Sequence, residues 1–468
     1  MPIVDIAAGR VEGRSVGGGA AFEGIRFATA PRFAPPGPAP RWAGVRAALR
    51  PGPAAPQPQR AASAFTHGER PATDEECLSL NVFTPGLPGS RPVFVWLHGG
   101  GFAIGHAGAS LYAGERLAAA ADAVVVTVNY RLGSLGWLGH PELALAPDAP
   151  AANWGLLDQV AALEWVRDNV AAFGGDPGSV TLAGQSAGAL SAMDLLAVPR
   201  ASGLFHRAVL QSPPLGDVAQ PADRAMGWAE ALSAAAGGAG AFDAARLRAL
   251  EADEIVALHE RLLEQPGWRG SRGGALPTID PGSLPVSPAE HATVNPNVDV
   301  LIGYTANEGT FFFDSPWRPA PSPDRVPDIV GHLCPGEDAR EVLDRYDGDL
   351  VAIATDAMVA APLARWAEAR AGSGARVYRY RVDHPGAGSQ LRATHTVEVP
   401  LLFGTWQDGG PGERLGGQWP GAEEVSDELV SAWARFIHGQ SPGWAPSAQA
   451  VHVFGTPSAA RRERAGAR

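Results

Sequence analysis

Residues 180–192 of the chain read Val-Thr-Leu-Ala-Gly-Gln-Ser-Ala-Gly-Ala-Leu-Ser-Ala. An apolar run ends at Gly184, Ser186 stands two residues from a glycine on each side, and small residues with helical spacing follow. This pattern is typical of a nucleophile elbow, a tight strand–turn–helix that exposes a serine at the carboxyl edge of a sheet. The two glycines allow the strand and helix backbones to pass close together. We therefore predict that Ser186 is a nucleophile and that other features of the chain serve it.

The composition of the 468-residue chain narrows the possible classes of function. Its formal net charge of −12 argues against nucleic acid and anionic membrane surfaces as partners. All 37 basic residues are arginine. The absence of lysine excludes Schiff-base chemistry, P-loop phosphate binding and hydrolysis by a Ser-Lys pair.

Cysteine use and the first residues bear on the compartment. Cys77 and Cys334 are the two cysteines, and they form neither a disulfide framework nor a zinc-binding pattern. Residues 1–19 lack the apolar segment of a signal peptide, and no run approaches the length of a transmembrane helix. We therefore expect a reducing, cytoplasmic setting.

Apolar runs that alternate with helical patterns indicate the fold class. The runs are apolar throughout, as in strands that are buried on both faces of a mostly parallel sheet. Alternation with helices predicts an α/β fold, with helices on both faces of that sheet. The predicted strands are residues 78–84, 93–97, 123–129, 180–183, 207–211, 298–303 and 377–382.

The remaining segments suggest one domain, over residues 1–456. Residues 1–50 suit small antiparallel strands, and helical spacing covers residues 154–173. Residues 213–290 lack strong strand signals, and we expect there a helical insertion or lid, with helices at 222–236 and 244–263. Residues 457–468 are basic and poor in apolar side chains, which predicts a disordered tail.

The motif G-x-S-x-G occurs three times, so the motif alone does not identify the nucleophile. The copy around Ser15 has no predicted strand before it and no helix after it. The copy around Ser441 is followed by Pro442, which lacks the backbone N–H that the residue after the nucleophile donates to an oxyanion. Ser186 alone combines a strand, a turn, a helix and a donor at Ala187.

A glycine-rich loop provides candidates for the oxyanion hole. The sequence His98-Gly99-Gly100-Gly101-Phe102 directly follows a predicted strand. Glycines let backbone amides point into a site without obstruction by a Cβ atom. We predict that the amides of Gly100, Gly101 and Ala187 form the oxyanion hole. The alternative is a flexible glycine loop without a catalytic role, and His98 we interpret as structural.

The acid and the base should follow Ser186 in the chain, in that order, on loops after strands. Glu308 comes shortly after the predicted strand 298–303 and is better placed than the two nearby aspartates, Asp299 and Asp314. After strand 377–382 the candidates for the base are His384 and His395. Spacing favours His395, because it leaves a loop long enough to return to the elbow, and leaves His384 as the alternative.

With these residues in view, the chain resembles the type-B carboxylesterases, in the para-nitrobenzyl-esterase branch of the cholinesterase-like α/β-hydrolases. The resemblance implies an α/β-hydrolase fold and hydrolysis of a small-molecule carboxylic ester without a metal or an organic cofactor. It also implies a catalytic triad of Ser186, His395 and Glu308. The motifs that carry the resemblance are FEGI at 22–25, EECLSLN at 75–81, HGGGF at 98–102, NYRLG at 129–133, GLLDQ at 155–159, FGGDP at 173–177, the elbow, NEG at 307–309 and PLLFG at 400–404.

The chain departs from the family pattern at several positions. Gln185 stands where the family often has glutamate, which removes a negative charge near the base and suggests a changed working pH. Glu76 replaces the usual aspartate, and Thr396 replaces a glycine after His395. Cys77 lacks the partner cysteine of many eukaryotic relatives, so we expect a free, buried thiol. No tryptophan lies between positions 42 and 96 to bind choline, which argues against choline esters.

The resemblance further implies two ion pairs, Arg131 with Asp176 and Arg32 with Glu75, beneath the site. Solvated surface charges are the alternative for both pairs. Two other functions remain possible at this point: an acyltransferase that uses the same triad with an alcohol as acceptor, and a non-catalytic binding module.

Overall fold

The fold is built on one large sheet. The computed structural model describes residues 1–60, 66, 68, 71–146, 148–215, 219–238, 242–265, 276–286, 291–383, 391–416, 419 and 421–455. Within these residues, ten strands share the sheet in the order β15 (Val451–Phe454), β14 (Val377–Val382), β13 (Asp299–Thr305), β12 (Arg207–Gln211), β11 (Gly175–Gln185), β9 (Arg91–Leu97), β10 (Val124–Val128), β8 (Ser79–Thr84), β4 (Gly19–Arg26) and β3 (Arg14–Val16).

Neighbouring strands from β15 to β10 are parallel, and β8, β4 and β3 add an antiparallel edge. This arrangement confirms the mostly parallel sheet that the apolar runs predict. The first fifty residues also contain the expected short strands outside this sheet. They are β1 (Ile3–Ile6), β2 (Gly9–Glu12) and β7 (Val45–Ala47) in one small sheet, and β5 (Ala28–Thr29) with β6 (Gly37–Pro38) in another.

Helices cover both faces of the sheet. In β9, Val93, Val95 and Leu97 belong to the apolar core on one face, whereas Phe94 and Trp96 belong to the core on the other. All five side chains are at most 1% exposed, which explains why every residue of β9 from Val93 to Leu97 is apolar. The helices are α1 (Glu115–Ala121), α2 (Gly133–Trp137), α3 (Trp154–Asn169), α4 (Ala187–Ala197), α5 (Ala222–Ala235), α6 (Ala244–Ala249), α7 (Ala252–Leu263), α8 (Glu308–Phe313), α9 (Val326–Leu333), α10 (Ala339–Arg345), α11 (Leu350–Thr355), α12 (Ala361–Gly372), α13 (Glu398–Phe403), α14 (Pro411–Gly416) and α15 (Ala422–Ile437).

The described part of residues 213–290 contains the helices α5, α6 and α7, as expected, and its role as an insertion or lid stays a prediction. The prediction of one helix over 244–263 was wrong, because the chain forms two helices there. Glu251 caps α7 in a capping box with Glu254, each side chain accepting a hydrogen bond from the other residue's backbone N–H. This box starts a new helix and separates it from α6. The single-domain organisation of residues 1–456 stays a prediction.

One helical stretch, Leu350–Gly372, is long and apolar enough to span a membrane by length and composition, contrary to the expectation from the sequence. It comprises α11, a π-helical turn at Asp356–Ala360, and α12. Leu363, Trp366 and Ala367 pack into the apolar core of the sheet, as the buried face of a core helix does. The tail predicted at 457–468 lies outside the described residues.

Of the two ion pairs expected beneath the site, one is confirmed and one is wrong. Arg32 binds the carboxylate of Glu75 through two nitrogens, as predicted. Arg131 binds Asp158 of α3 instead of Asp176, with Nε–Oδ2 and Nη2–Oδ1 distances of 2.8 Å and 2.7 Å. Asp176 accepts a hydrogen bond from the backbone N–H of Gly178 in its own turn. Arg131 and Asp158 are both almost fully buried, so each satisfies the other's charge.

Candidate active site

Ser186 stands on the sharp turn between β11 and α4. Its backbone has φ 56° and ψ −123°, a conformation that costs a non-glycine residue energy and that surrounding packing must impose. A Cβ atom on Gly188 would lie 2.0 Å from the carbonyl oxygen of Leu97, and one on Gly184 would lie 2.3 Å from the carbonyl carbon of Gly188. Both positions therefore require glycine. The turn presents Ser186 at the carboxyl end of β11, with 8% of the residue exposed.

The two other serines of the same motif occupy different surroundings. Ser15 lies exposed in β3, within an antiparallel hairpin. The strand β2 precedes it, contrary to our expectation, but no helix follows. Ser441 donates its hydroxyl to the carbonyl oxygen of Trp444 at 2.5 Å in a turn. Neither serine stands between a strand of the large sheet and a helix.

His395 and Glu308 meet side by side. The Nδ1 atom of His395 hydrogen-bonds Oε2 of Glu308, and both side chains are at most 4% exposed. Oε1 of Glu308 accepts the backbone N–H of Thr305 at 2.7 Å, so both carboxylate oxygens are bound. The two loops are also joined through their backbones, because the N–H of Asn307 donates to the carbonyl of Ala393 at 2.9 Å.

The competing candidates are placed elsewhere. Asp299 lies at the start of β13, the end opposite Glu308, and binds Arg376. Asp314 is exposed beyond the end of α8. His384 lies outside the described residues.

Aromatic rings and one amide surround the imidazole of His395. The rings of Phe311 and Phe312 lie 5.5 Å and 5.2 Å from the imidazole, measured between ring centroids. The Nε2 atom of Gln185 lies 3.0 Å from Nε2 of His395. Within the described part of the chain, the Ser186 hydroxyl makes no hydrogen bond to His395. The sequence pattern placed Gln185 near the base but did not indicate the aromatic neighbours, because these contacts depend on how α8, β11 and the segment around His395 come together.

The glycine loop packs directly against Ser186. A Cβ atom on Gly99 would lie 3.2 Å from Cβ of Ser186. Gly100 and Gly101 have φ values of 121° and 62°, in the left-handed region that glycine occupies without strain. Their amide N–H groups donate to no backbone carbonyl within the described residues. Ala187 is the first residue of α4, where the N–H has no partner within the helix. Within the described residues, the N–H groups of Gly100 and Gly101 thus have no backbone acceptor, and that of Ala187 has none in its helix.

His98 belongs to the packing beneath this loop. Its Nδ1 atom lies 2.8 Å from the carbonyl oxygen of Gly99, and its ring stacks on Tyr130 with centroids 4.4 Å apart. Burial lowers the pKa of His98 to about 3, so its imidazole is neutral. The free cysteine Cys77 is buried, as expected, and burial raises the pKa of its thiol.

A second buried carboxyl group, that of Glu398, lies close to the carboxylate of Glu308. Glu398 begins α13, three residues after His395, and is 1% exposed. Burial raises its pKa to about 8, and the nearby charge of Glu308 adds to the shift. Its Oε1 accepts a hydrogen bond from Nε2 of Gln211 at 3.3 Å. Sequence reasoning missed this residue, although its short spacing from His395 was visible.

Comparison with known proteins shows the family of the chain. The model of the carboxylesterase family matches residues 1–326. The para-nitrobenzyl esterase of Bacillus subtilis (strain 168) is 34% identical over 458 residues, which cover 94% of this chain and 90% of that protein. The probable N-octanoylanthranilate hydrolase of Rhodococcus erythropolis is 35% identical, over 94% of this chain and 95% of that protein.

A solved structure gives the same result. A thermophilic PNB esterase superposes with a TM-score of 0.83 and 32% sequence identity, over 94% of this chain and 92% of that one. The large sheet and the helices on both of its faces are therefore those of an α/β-hydrolase. The chain belongs to the carboxylesterase family and is a carboxylic ester hydrolase.

Proposed function

We propose that the protein hydrolyses carboxylic esters through an acyl-enzyme intermediate, with Ser186 as nucleophile, His395 as general base and Glu308 as the acid of the triad. The observation that carries this proposal is the buried hydrogen bond between His395 and Glu308, in contact with Gln185, which immediately precedes Ser186. A base that is oriented by a carboxylate and stands next to a strained serine is the arrangement that activates a hydroxyl for acyl transfer.

In the first half of the reaction, His395 removes the proton of the Ser186 hydroxyl as its oxygen bonds to the ester carbonyl carbon. The carbonyl oxygen becomes an oxyanion, and the amides of Gly100, Gly101 and Ala187 donate hydrogen bonds to it in this proposal. The tetrahedral intermediate then collapses by breaking the bond to the alcohol oxygen. His395 returns its proton to the departing alcohol, which leaves an acyl-serine.

In the second half, His395 accepts a proton from water as the water oxygen bonds to the acyl carbon. Collapse of this intermediate breaks the bond to Ser186, and the serine oxygen regains the proton from His395. Glu308 keeps Nδ1 protonated throughout, so Nε2 is the nitrogen that exchanges protons. Its negative charge also stabilises the imidazolium that forms in each half.

The substrates that we propose are uncharged esters of small to medium size. The relatives named above are a para-nitrobenzyl esterase and a probable N-octanoylanthranilate hydrolase. Phe311 and Phe312 give the imidazole apolar neighbours, and such a wall favours apolar groups over charged ones. A cytoplasmic location stays a prediction.

The test is hydrolysis of p-nitrophenyl acetate and p-nitrophenyl butyrate by the purified chain and by Ser186→Ala. We expect Ser186→Ala to lose activity by at least about 10³-fold while retaining the fold, because the variant lacks only one hydroxyl. Ser441→Ala serves as the control and should keep full activity. Equal loss in both variants, or full activity in Ser186→Ala, would refute the assignment of the nucleophile.

A further inference from the structure

The side chain of Gln185 lies between the glycine loop and the base. Gln185 is 2% exposed and immediately precedes Ser186. A Cβ atom on Gly99 would lie 2.6 Å from its Oε1 atom, so the amide oxygen sits against the Gly99 backbone. On its other side, Nε2 lies 3.0 Å from Nε2 of His395. The amide therefore contacts two of the parts that acyl transfer needs.

The direction of the hydrogen bond between Gln185 and His395 follows from the other end of the imidazole. Nδ1 faces the carboxylate of Glu308, which only accepts hydrogen bonds when ionised, so the neutral imidazole carries its proton on Nδ1. Nε2 then presents a lone pair. The amide nitrogen of Gln185 is a donor only, and the contact is an N–H donating to that lone pair.

This lone pair is the one that must accept the proton of Ser186. Because a ring nitrogen has a single lone pair in the plane of the ring, Gln185 and Ser186 cannot both bind it fully. We propose that Gln185 is a positioning residue: its amide holds the neutral imidazole of His395 in the resting enzyme and yields Nε2 to the Ser186 hydroxyl when an ester binds. This inference rests on the proposed triad.

The hydrogen bond from Gln185 exists only while Nε2 of His395 is unprotonated. Once Nε2 carries a proton, the amide N–H would face another N–H, and the two donors repel each other. The charged groups nearby are the carboxylates of Glu308 and, above its raised pKa, Glu398. The other titratable groups in these surroundings are neutral, because burial lowers the pKa of the histidine and raises those of the tyrosines: His98, Tyr112 and Tyr380.

The experiment measures kcat/KM for p-nitrophenyl butyrate against pH in wild type, Gln185→Glu and Gln185→Met. In Gln185→Glu, a carboxylate that accepts a hydrogen bond from protonated Nε2 replaces an amide that donates one, and it adds a negative charge. Because both changes stabilise the imidazolium, the acid limb of the profile should move to higher pH by about one unit or more. Methionine has similar length but no donor, so we expect a smaller shift in the same direction. A residue that only fills space would change stability or KM and leave the acid limb in place.

The matched control is Gln159→Met, because Gln159 is also a buried glutamine, whose Nε2 donates to Ser191 at 3.0 Å behind the elbow. The acid limb of this control should coincide with that of wild type.

If Gln185→Glu does not fold, the inference is decided by Gln185→Met, which introduces no charge. An acid limb that is unshifted in the folded variants overturns the inference. Activity that survives in Ser186→Ala would instead overturn the proposed function, so the two failures are distinguishable.

Discussion

The segment that carries Ser186 and the segments that carry Glu308 and His395 differ in what holds them in place. The elbow depends on backbone packing, because the carbonyls of Leu97 and Gly188 occupy the space where side chains at Gly188 and Gly184 would begin. No rearrangement of side chains can relieve a contact between backbone atoms. This half of the site should tolerate almost no change in residue size.

The acid and the base depend mainly on side-chain hydrogen bonds, besides one backbone hydrogen bond between Asn307 and Ala393 that joins their segments. Glu308 binds His395 through one oxygen and the N–H of Thr305 through the other. Behind them, Glu398 and Gln211 form a further buried contact. Such contacts fix the protonation and the orientation of groups more than the path of the chain. We therefore expect substitutions in the elbow to impair folding. Substitutions in the acid–base half, which comprises Glu308 and His395, should impair catalysis and leave the fold largely intact.

The largest effect should come from Gly188→Ala. The new methyl carbon would lie 2.0 Å from the Leu97 carbonyl oxygen, so either β9 or α4 must move. We expect a loss of about 3 kcal/mol or more in the free energy of unfolding. Esterase activity should be undetectable, since the movement displaces both Ser186 and the loop after β9. Chemical denaturation and assays with p-nitrophenyl butyrate measure the two effects.

Gly227→Ala provides the matched control. Gly227 lies within α5, and a Cβ atom there would meet nothing within 4 Å. Alanine should stabilise this helix by about 0.5–1 kcal/mol, because it restricts the unfolded chain and favours helix. If Gly188→Ala behaves like this control, the elbow is not held by its backbone, and the distinction between the two halves is wrong.

The next largest effect should come from Glu308→Gln, which changes the acid–base half without changing its size. The amide NH₂ would face Nδ1 of His395 and favour the tautomer with its proton on Nε2, the nitrogen that accepts the proton of Ser186 in the proposed mechanism. We expect kcat to fall by about 10³–10⁴-fold. The thermal midpoint should change by only a few degrees, in contrast to Gly188→Ala.

Glu75→Gln is the control for this change. It alters a half-exposed carboxylate that pairs with Arg32, and kcat should stay within about twofold of wild type because exposed pairs contribute little. A fall in kcat for Glu308→Gln of less than tenfold would contradict the role of Glu308 in the triad.

The sequence predicted the centre of the sheet better than its margins. Strands such as β12 and β14 are apolar or aromatic at most positions and were predicted with the observed bounds, because burial on two faces leaves an unambiguous pattern. The edge strand β15 was missed, since its Val-His-Val-Phe sequence has one neighbour and three half-buried residues. The break before α7 was missed because a glutamate cap is a weak signal beside continuous helical spacing.

Side-chain partners were harder to predict than the elements that carry them. The wrong pairing of Arg131 with Asp176 could have been avoided. Arg131 follows the carboxyl end of β10, whereas Asp176 begins β11, and both strands run parallel to β9. Arg131 therefore lies at the carboxyl ends of the parallel strands, and Asp176 lies at their amino ends. The direction of the Gln185 amide depends on tertiary contacts and could not be read from the sequence.

The smallest expected effect concerns Glu398 and appears in stability. Burial raises the pKa of this carboxyl from 4.5 to about 8, so between these values the folded protein holds a proton that the unfolded chain releases. The stability of the fold must therefore fall as the pH rises through this window. Because a glutamine side chain cannot ionise, Glu398→Gln should remove this dependence. We expect the difference in free energy of unfolding between the variant and wild type to increase by about 1–3 kcal/mol in favour of the variant as the pH rises from 5 to 8.

Urea denaturation of wild type, Glu398→Gln and the exposed control Glu341→Gln, each at several values of pH, measures this dependence. The control should run parallel to wild type, because an exposed carboxyl in α10 is solvated in both states. If Glu398→Gln also runs parallel to wild type, Glu398 is not the group that takes up the proton. A difference from wild type that grows with pH would instead show that the acid–base half holds Glu398 as a neutral acid, beside the one carboxylate that the chemistry needs. The elbow, which has no titratable side chain between Gly184 and Gly188, offers no such sensitivity to pH.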